Sequence, residues 1–486
     1  RSLRGGLRMS ETPRRVHFVA IGGSGMGSLA CLLKARGLQV TGSDSALYPP
    51  MSTALGRWEI PVRDSFRAEH VLDAEPDLVV IGNAVHADNP EARAAIDEGL
   101  RCLSFPDALS ELAMAARHSV VISGTHGKTT TTALVGQLLA ATGRDPSLLV
   151  GGHALDFDGS FREGQGAHFV VEGDEYDTAF FDKTPKFLHY HPRTLVVTSV
   201  EFDHADIYRD LEHVKSAFRK LIEGLPKDGV IVAAQCHAGV RDVLRSAPCR
   251  VVSYGAGKAS EGMDFSAREL VAGPAGTDFE LWHGDLQAGP ARTSLHGPEG
   301  VENSLAALAT CAALGVPEAE SLAALPGFRG VKRRMEIVGD RGGVSVVDDF
   351  AHHPRAVRAS LGAARARFAR RPIVALFEPR TNTSRRAIFQ DDYAAAFDDA
   401  DRVYIHAVPE TPLYSATGPV TERLDCALLA RAVSVRGTPA QALDGVDALV
   451  AQAIAEIPPR AVLLVMSNGD FGGIHQRLLD ALPDGI

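Results

Sequence analysis

The stretch Ser123-Gly124-Thr125-His126-Gly127-Lys128-Thr129-Thr130 constrains this chain more than any other. It lies between an apolar run at residues 119–122 and a segment of helical character from about residue 131. A strand, a glycine turn and a helix start in that order make a cradle for phosphate. Backbone N–H groups converge on the anion and the helix dipole favours negative charge. Lys128 adds a point charge for the outer phosphates, and the hydroxyl of Thr129 stands where it would ligate Mg²⁺. The strict P-loop spacing is not met, because Ile122 rather than glycine stands five positions before Gly127. The reading is a nucleoside triphosphate site with residues 124–130 as its contacts.

The rest of the chain repeats this βα rhythm. Strands are predicted at residues 16–21, 39–42 and 77–81, then at 168–172, 194–199 and 229–233, and finally at 344–347, 373–377, 402–405 and 461–466. A Gly-rich, strand-like stretch covers 251–291, a helix 301–314, and Pro326-Gly327-Phe328-Arg329-Gly330 punctuates the chain as a linker would. At roughly 150 residues per domain, 486 residues make about three domains. The expected fold class is α/β: a Rossmann-like N-terminal domain over 16–117, a central P-loop ATPase domain with a parallel sheet over 118–329, and a C-terminal Rossmann-like domain over 330–486. Residues 1–15 are expected to be a disordered or non-native extension, with Met9 the candidate start.

A net charge of -10 argues against a nucleic-acid backbone as main partner, since that binding runs on clustered Lys and Arg. The six cysteines lack CxxC spacing and read as small buried hydrophobes in a reducing compartment. No run of about eighteen apolar residues exists to span a membrane, so a cytoplasmic location is expected.

Other motifs close predicted strands, where ligands of parallel sheets bind. Gly22-Gly23-Ser24-Gly25-Met26-Gly27 turns the first strand into a helix, and Ala30 completes a loose dinucleotide fingerprint. Asp44 stands where an acidic residue would meet a ribose, so a nicotinamide-dependent oxidoreductase is the competing reading. The second phosphate loop favours a nucleotide-linked substrate here, with Gly23, Ser24, Gly25, Met26, Ser43, Asp44 and Asn83 as candidate contacts. Glu172-Gly173-Asp174-Glu175-Tyr176-Asp177 follows a strand beside the phosphate loop, where Mg²⁺ is held between phosphates. Glu201-Phe202-Asp203-His204-Ala205-Asp206 and Asp348-Asp349-Phe350-Ala351-His352-His353-Pro354 are dense in carboxylate and imidazole. Arg333, Arg334 and Arg380 supply fixed positive charge suited to phosphate or carboxylate.

These blocks, with Asn303, resemble the Mur ligases, ATP-dependent amide-bond-forming enzymes of peptidoglycan assembly, over nearly the whole chain from Val16 to about Leu482. Several stretches are similar to members that join UDP-N-acetylmuramate to the murein tripeptide L-alanyl-γ-D-glutamyl-meso-diaminopimelate: Tyr48-Pro49-Pro50-Met51-Ser52, Glu378-Pro379-Arg380-Thr381-Asn382-Thr383, and residues 466–475. Members that add a single L-alanine to the same nucleotide are near neighbours. The resemblance implies ATP and Mg²⁺ as cofactors and an acyl-phosphate intermediate. It implies that Lys128 contacts the outer phosphates, that Thr129 and Glu172 hold one Mg²⁺, and that His204 helps hold a second. Asn303 and Asp349 would contact the adenosine part, Arg333 and Arg380 would face phosphate or substrate carboxylate, and His352 would orient the incoming amine. The chain departs from the family pattern where Gly297-Pro298-Glu299-Gly300-Val301-Glu302 precedes Asn303, and where Gly173 separates two acidic residues. Phe218 or Arg219 stands where several sister ligases carry a carbamylated lysine, so no carbamate is expected.

Overall fold

The computed structural model describes residues 13–408, 412–418, 420 and 422–484. Its strands build three main sheets in series. The first is five-stranded and parallel, in the order Val62–Arg63, Gln39–Ser43, Arg15–Val19, Leu78–Ile81, Cys102–Ser104. Leu78, Val79, Val80 and Ile81 are all fully buried. Such an unalternating apolar run is what a parallel strand covered on both faces requires. The first strand stops at Val19, two residues earlier than predicted, because Ala20 takes φ 65° and turns the chain into the glycine loop. Of the extension expected at 1–15, residues 1–12 lie outside the described residues. Arg15 already belongs to the strand, and the N–H groups of Arg14 and Arg15 both donate to Asp77 at 2.8 Å.

The central sheet has ten strands, ordered Leu286–Thr293, Gly276–His283, Phe265–Gly273, Arg250–Ala256, Val230–Ala233, Thr194–Val197, His118–Ser123, His168–Gly173, Ser147–Ala154, Gly159–Arg162. From Arg250–Ala256 to Ser147–Ala154 every pairing is parallel. The strand that feeds the phosphate loop, His118–Ser123, therefore lies between Thr194–Val197 and His168–Gly173. Their C-terminal loops emerge side by side, which brings residues 124–128, 174–177 and 198–206 together. The Gly-rich stretch resolves into the parallel strand Arg250–Ala256 and an antiparallel meander. The pair Ser147–Ala154 and Gly159–Arg162 was not predicted, since Gly151-Gly152 inside it reads as a loop; it serves as the sheet's edge.

The third sheet orders Glu336–Arg341, Val344–Asp349, Val462–Met466, Ile373–Phe377, Arg402–His406, Ala440–Leu443, parallel except for the first pair. Val344–Asp349 runs two residues beyond its predicted end, so both aspartates close the strand itself. The third unit is fastened to the second by backbone bonding. Ala154 bridges Val331, and the Lys332 N–H donates to the His153 carbonyl at 2.9 Å. The first unit meets the second through Ser28 and Ser160 (2.6 Å), Arg36 and Glu163 (3.0 Å), and His189 and Asp107 (2.8 Å). Among the described residues, no helix is long and apolar enough to cross a membrane.

Candidate active site

The helix Lys128–Ala141 begins three residues before its predicted start at about 131, so that Lys128 and Thr129 stand in its first turn, and is capped by Gly127 at φ 81°. Gly124 is more constrained still. Its φ is 141°, and a β-carbon there would stand 2.1 Å from Thr198 Oγ1 and 2.8 Å from the Ser199 nitrogen. The loop is pinned from outside: the His126 N–H donates to Ser199 Oγ at 2.9 Å, and the Glu201 N–H to Thr125 Oγ1 at 2.9 Å. The loop is thus fixed before any anion arrives, leaving the helix-start amides to meet it.

Lys128 donates to the Gly124 carbonyl at 2.7 Å and to both oxygens of Glu175, at 2.9 and 3.1 Å. Burial alone would lower its ammonium; Glu175, Asp174 and Glu172 outweigh that and raise it. Glu175 was legible as part of an acidic block, but its pairing with this lysine was not. The same carboxylate faces His204 Nε2 at 3.2 Å, and its backbone carbonyl accepts from Tyr208. Burial would raise the His204 imidazolium's tendency to lose its proton, but Asp203 and Glu175 reverse this and lift its pKa to about 9.

Thr129 Oγ1 donates to Glu172 Oε1 at 3.0 Å, and the Gly151 N–H donates to Oε2 at 2.8 Å. Burial pushes the Glu172 carboxyl up, against the pull of Lys128. A hard oxygen pair whose carboxylate lacks sufficient positive charge fits Mg²⁺. No contact among the described residues joins His204 to this pair; it shares Glu175 with Lys128 instead.

Beyond the loop opens a cleft of about 640 Å³, lined by Thr129, Thr130, Asn303, Arg334, Asp349 and Arg355 among others. Asn303 Oδ1 accepts from Thr131 at 3.2 Å and lies against Gly127, where a β-carbon would sit 2.5 Å from it. Asp349 accepts from the Met335 and Ala351 N–H groups, both at 2.9 Å, and from Ser360 at 2.7 Å. Glu299 and Gly300, from the segment that departs from the family pattern, also line this cleft.

Arg333 does not face the phosphate loop. It takes φ 60°, donates to Asp348 at 3.0 Å and to the carbonyls of Ser467 and Gly469 at 2.8 Å, and lies over the Phe350 ring. The turn presents Arg334 instead, whose Nη2 is 3.4 Å from Thr129 Oγ1. Arg380 is half-exposed beside Gly469. His352 Nδ1 lies 3.1 Å from the Phe350 carbonyl, so Nδ1 carries the proton and Nε2 the lone pair, 3.8 Å from Asp203. Burial lowers its pKa, and that of His353 falls to about 4 through burial and the neighbouring His126. Arg355 ties the third unit to the second, bonding Glu201 and lying 3.2 Å from His237 Nε2. Neither residue was singled out for such a contact, because the pair is 154 positions apart.

In the first unit, Gly23 caps the helix Ser24–Ala35, with Ser24 exposed and Met26 buried. Asn83 is exposed after Leu78–Ile81. Ser43, expected at a ligand, is fully buried with its hydroxyl donated to Glu91, so it supports the site from below. Asp44 Oδ2 accepts the Gly22 N–H at 2.7 Å, which fixes the glycine turn rather than offering that oxygen to a ribose.

A strained phosphate loop, a magnesium-type oxygen pair and a facing guanidinium define an enzyme that uses a nucleoside triphosphate. Residues 15–117 match the description "Mur ligase family, catalytic domain", 122–311 "Mur ligase middle domain" and 333–469 "Mur ligase, glutamate ligase domain". The UDP-N-acetylmuramate--L-alanyl-gamma-D-glutamyl-meso-2,6-diaminoheptandioate ligase of Escherichia coli K12 is 36% identical over 96% of this chain and 98% of its own. The UDP-N-acetylmuramate--L-alanine ligase of Geobacter sp. strain M21 is 33% identical over 96% and 97%. A crystal structure of a murein peptide ligase from Psychrobacter arcticus superposes with TM-score 0.70 at 32% identity, covering 97% and 99% of the two chains. That of the UDP-N-acetylmuramate-alanine ligase from Thermotoga maritima gives 0.75 at 26% identity over 96% and 98%. The chain belongs to the Mur ligase family of ATP- and Mg²⁺-dependent, C–N bond-forming ligases.

Proposed function

We propose that the chain joins the lactyl carboxylate of UDP-N-acetylmuramate to the α-amine of L-alanyl-γ-D-glutamyl-meso-diaminopimelate, with ATP cleaved to ADP and phosphate. The observation that carries this reading is the full-length likeness, at 36% identity, to a ligase of that printed activity. The cleft supports it, since the phosphate loop and Arg334 line it and Glu172 bonds the lining Thr129.

A carboxylate and an amine do not condense in neutral water, so the acid must be activated. A carboxylate oxygen attacks the γ-phosphorus, the bond to the bridging oxygen breaks, and ADP leaves. The amine nitrogen then attacks the acyl carbon of the acyl phosphate, the C–O bond breaks, and phosphate departs while the nitrogen sheds a proton. The amides of Gly127 and Lys128 at the helix start, the Lys128 ammonium and the Arg334 guanidinium stabilise charge on the transferring group. Thr129 and Glu172 would hold Mg²⁺, which neutralises phosphate oxygens when bound; His204, held protonated by Asp203 and Glu175, would have to release its proton to help hold a second ion. His352, neutral with a free Nε2, is suited to orient the amine and take its proton. Asn303 and Asp349 would meet the adenosine part.

Gly23, Ser24, Gly25, Met26, Asp44 and Asn83 would surround the UDP moiety, in a cytoplasmic enzyme divided at about residues 117 and 329. Arg380 lies at the start of a loop suited to acceptor carboxylates. That loop docks beside His204, with the Ala205 N–H donating to Thr383 at 3.0 Å. The second reading, a single L-alanine acceptor, draws on the slightly higher TM-score of 0.75 to the alanine-adding structure. Supplying UDP-N-acetylmuramate and ATP with either acceptor and weighing the product decides between them. Lys128→Ala should abolish amide formation while UDP-sugar binding persists; unchanged turnover would refute the scheme.

A further inference from the structure

Beyond the phosphate loop, three metal-ligating side chains of different chemistry meet at the C-terminal edge of the central sheet. Cys236 and His237 follow the strand Val230–Ala233, and Glu302 stands on the helix Gly297–Ala313. Their ligand atoms all lie within 4.8 Å of one another. Glu302 takes His237 Nε2 at 2.9 Å on one oxygen and Cys236 Sγ at 3.4 Å on the other. A tetrahedral ion bonded at about 2.0 Å to nitrogen and oxygen and about 2.3 Å to sulfur spaces its ligands by roughly 3.3–3.6 Å. The three donors are therefore within a small side-chain adjustment of enclosing one ion.

Their backbones are held. The His237 N–H donates to Ala234 at 3.1 Å, and Ala234 in turn donates to Val197 at 3.0 Å. Cys236 packs on Gly255, where a β-carbon would stand 3.0 Å from its Cβ and Sγ. Two guanidiniums approach the cluster: Arg355, beside Glu302 and itself held by Glu201 and Glu299, and Arg241, whose Nη1 donates to the Cys236 carbonyl at 3.0 Å. Arg355 Nη2 lies 3.5 Å from Nδ1 and 3.2 Å from Nε2 of His237, so an entering ion displaces it from the ring nitrogens. No CxxC spacing announces such a cluster; the fold assembles it from a loop and a helix 65 residues apart.

We propose that Cys236, His237 and Glu302 form a site for a divalent transition ion of the zinc class, its fourth position open to the cleft that Glu302 lines. A thiolate, an imidazole and a carboxylate select Zn²⁺ or Co²⁺ over Mg²⁺. The ion displaces the thiol proton to solvent as the sulfur–metal bond forms.

The test is a Co²⁺ titration of the full chain after chelator treatment, which requires no turnover and so stands apart from the ligase reading. A thiolate-to-cobalt charge-transfer band should grow to one equivalent, release one proton, and vanish when Zn²⁺, but not excess Mg²⁺, is added. Cys236→Ser should erase the band and weaken Zn²⁺ by about 100-fold, the upper end of what loss of even an outer-shell partner produces. Cys249→Ser should keep it. No band in the unaltered chain, or a band surviving Cys236→Ser, overturns the proposal. Should Cys236→Ser fail to fold, His237→Ala is read instead: the band persists while Zn²⁺ affinity falls by about 10-fold or more, and equal affinity overturns the site.

Discussion

Replacing Glu175 by glutamine isolates the counter-charge of Lys128. Glu175 is 2% exposed and carries both short contacts from Lys128. Glutamine keeps the volume and one acceptor oxygen but leaves the ammonium without its bonded anion, with only Asp174 and Glu172 acting on it from further off. Removing one partner of a buried ion pair costs about 3–5 kcal/mol, and the retained acceptor puts this case near about 3. For a domain of roughly 200 residues each kcal/mol moves the melting temperature by about 2–4 °C, so the free variant should melt about 6–12 °C early. Nucleotide phosphates supply Lys128 with a replacement counter-charge. Saturating ATP analogue with Mg²⁺ should therefore recover most of the deficit, as scanning calorimetry with and without nucleotide would record. The pH dependence has a defined sign. Burial would raise the Glu175 carboxyl, but Lys128 and His204 hold it down from 4.5 to about 2. Its stabilisation is present above 4.5 and lost as pH falls toward 2, so the two proteins should converge in acid. A free variant that melts with the parent, or a deficit untouched by nucleotide, would refute the reasoning.

Three further outcomes follow from the same geometry. Gly124→Ala forces a β-carbon into Thr198 and Ser199 at a φ of 141°, and should abolish ATP-analogue binding in a calorimetric titration while the UDP-sugar still binds. Arg334→Ala should weaken the ATP analogue about 10-fold, one charge-assisted hydrogen bond of about 1.4 kcal/mol, whereas Arg333→Ala should lower the melting temperature and leave nucleotide affinity nearly unchanged. Glu91→Ala strands Ser43, His17 and His70 around an empty buried position and should destabilise the first unit by about 3–5 kcal/mol in urea unfolding monitored at Trp58.

What the sequence made legible was chemistry that is local along the chain. The phosphate loop, its helix and the strand-closing Glu172 depend on neighbours within a few residues or on the rule that parallel strands point ligands one way. Contacts set by turn geometry or distant pairing were not legible. Which carboxylate of residues 172–177 reaches Lys128 depends on how the chain bends after Gly173. Ser43 and Asp44 read as ligand groups, yet one hydroxyl goes to Glu91, 48 residues on, and one carboxylate oxygen to Gly22. Arg333 and Arg334 differ by a single position, and the positive φ of Arg333 decides which guanidinium meets the cleft. The strand Ser147–Ala154 escaped because paired glycines mimic a loop.

The seam at Ala154, Val331 and Lys332 has a mechanical consequence. Because the chain is stitched to the central sheet up to Lys332, any rotation of the third unit must pivot on the next few residues, where Arg333 and Met335 already hold left-handed backbone angles. Arg334 rides on that pivot. Swinging the unit and delivering its guanidinium to the phosphates are then one movement, and the stitched strand, whose Gly151 amide grips Glu172, feels the same torque.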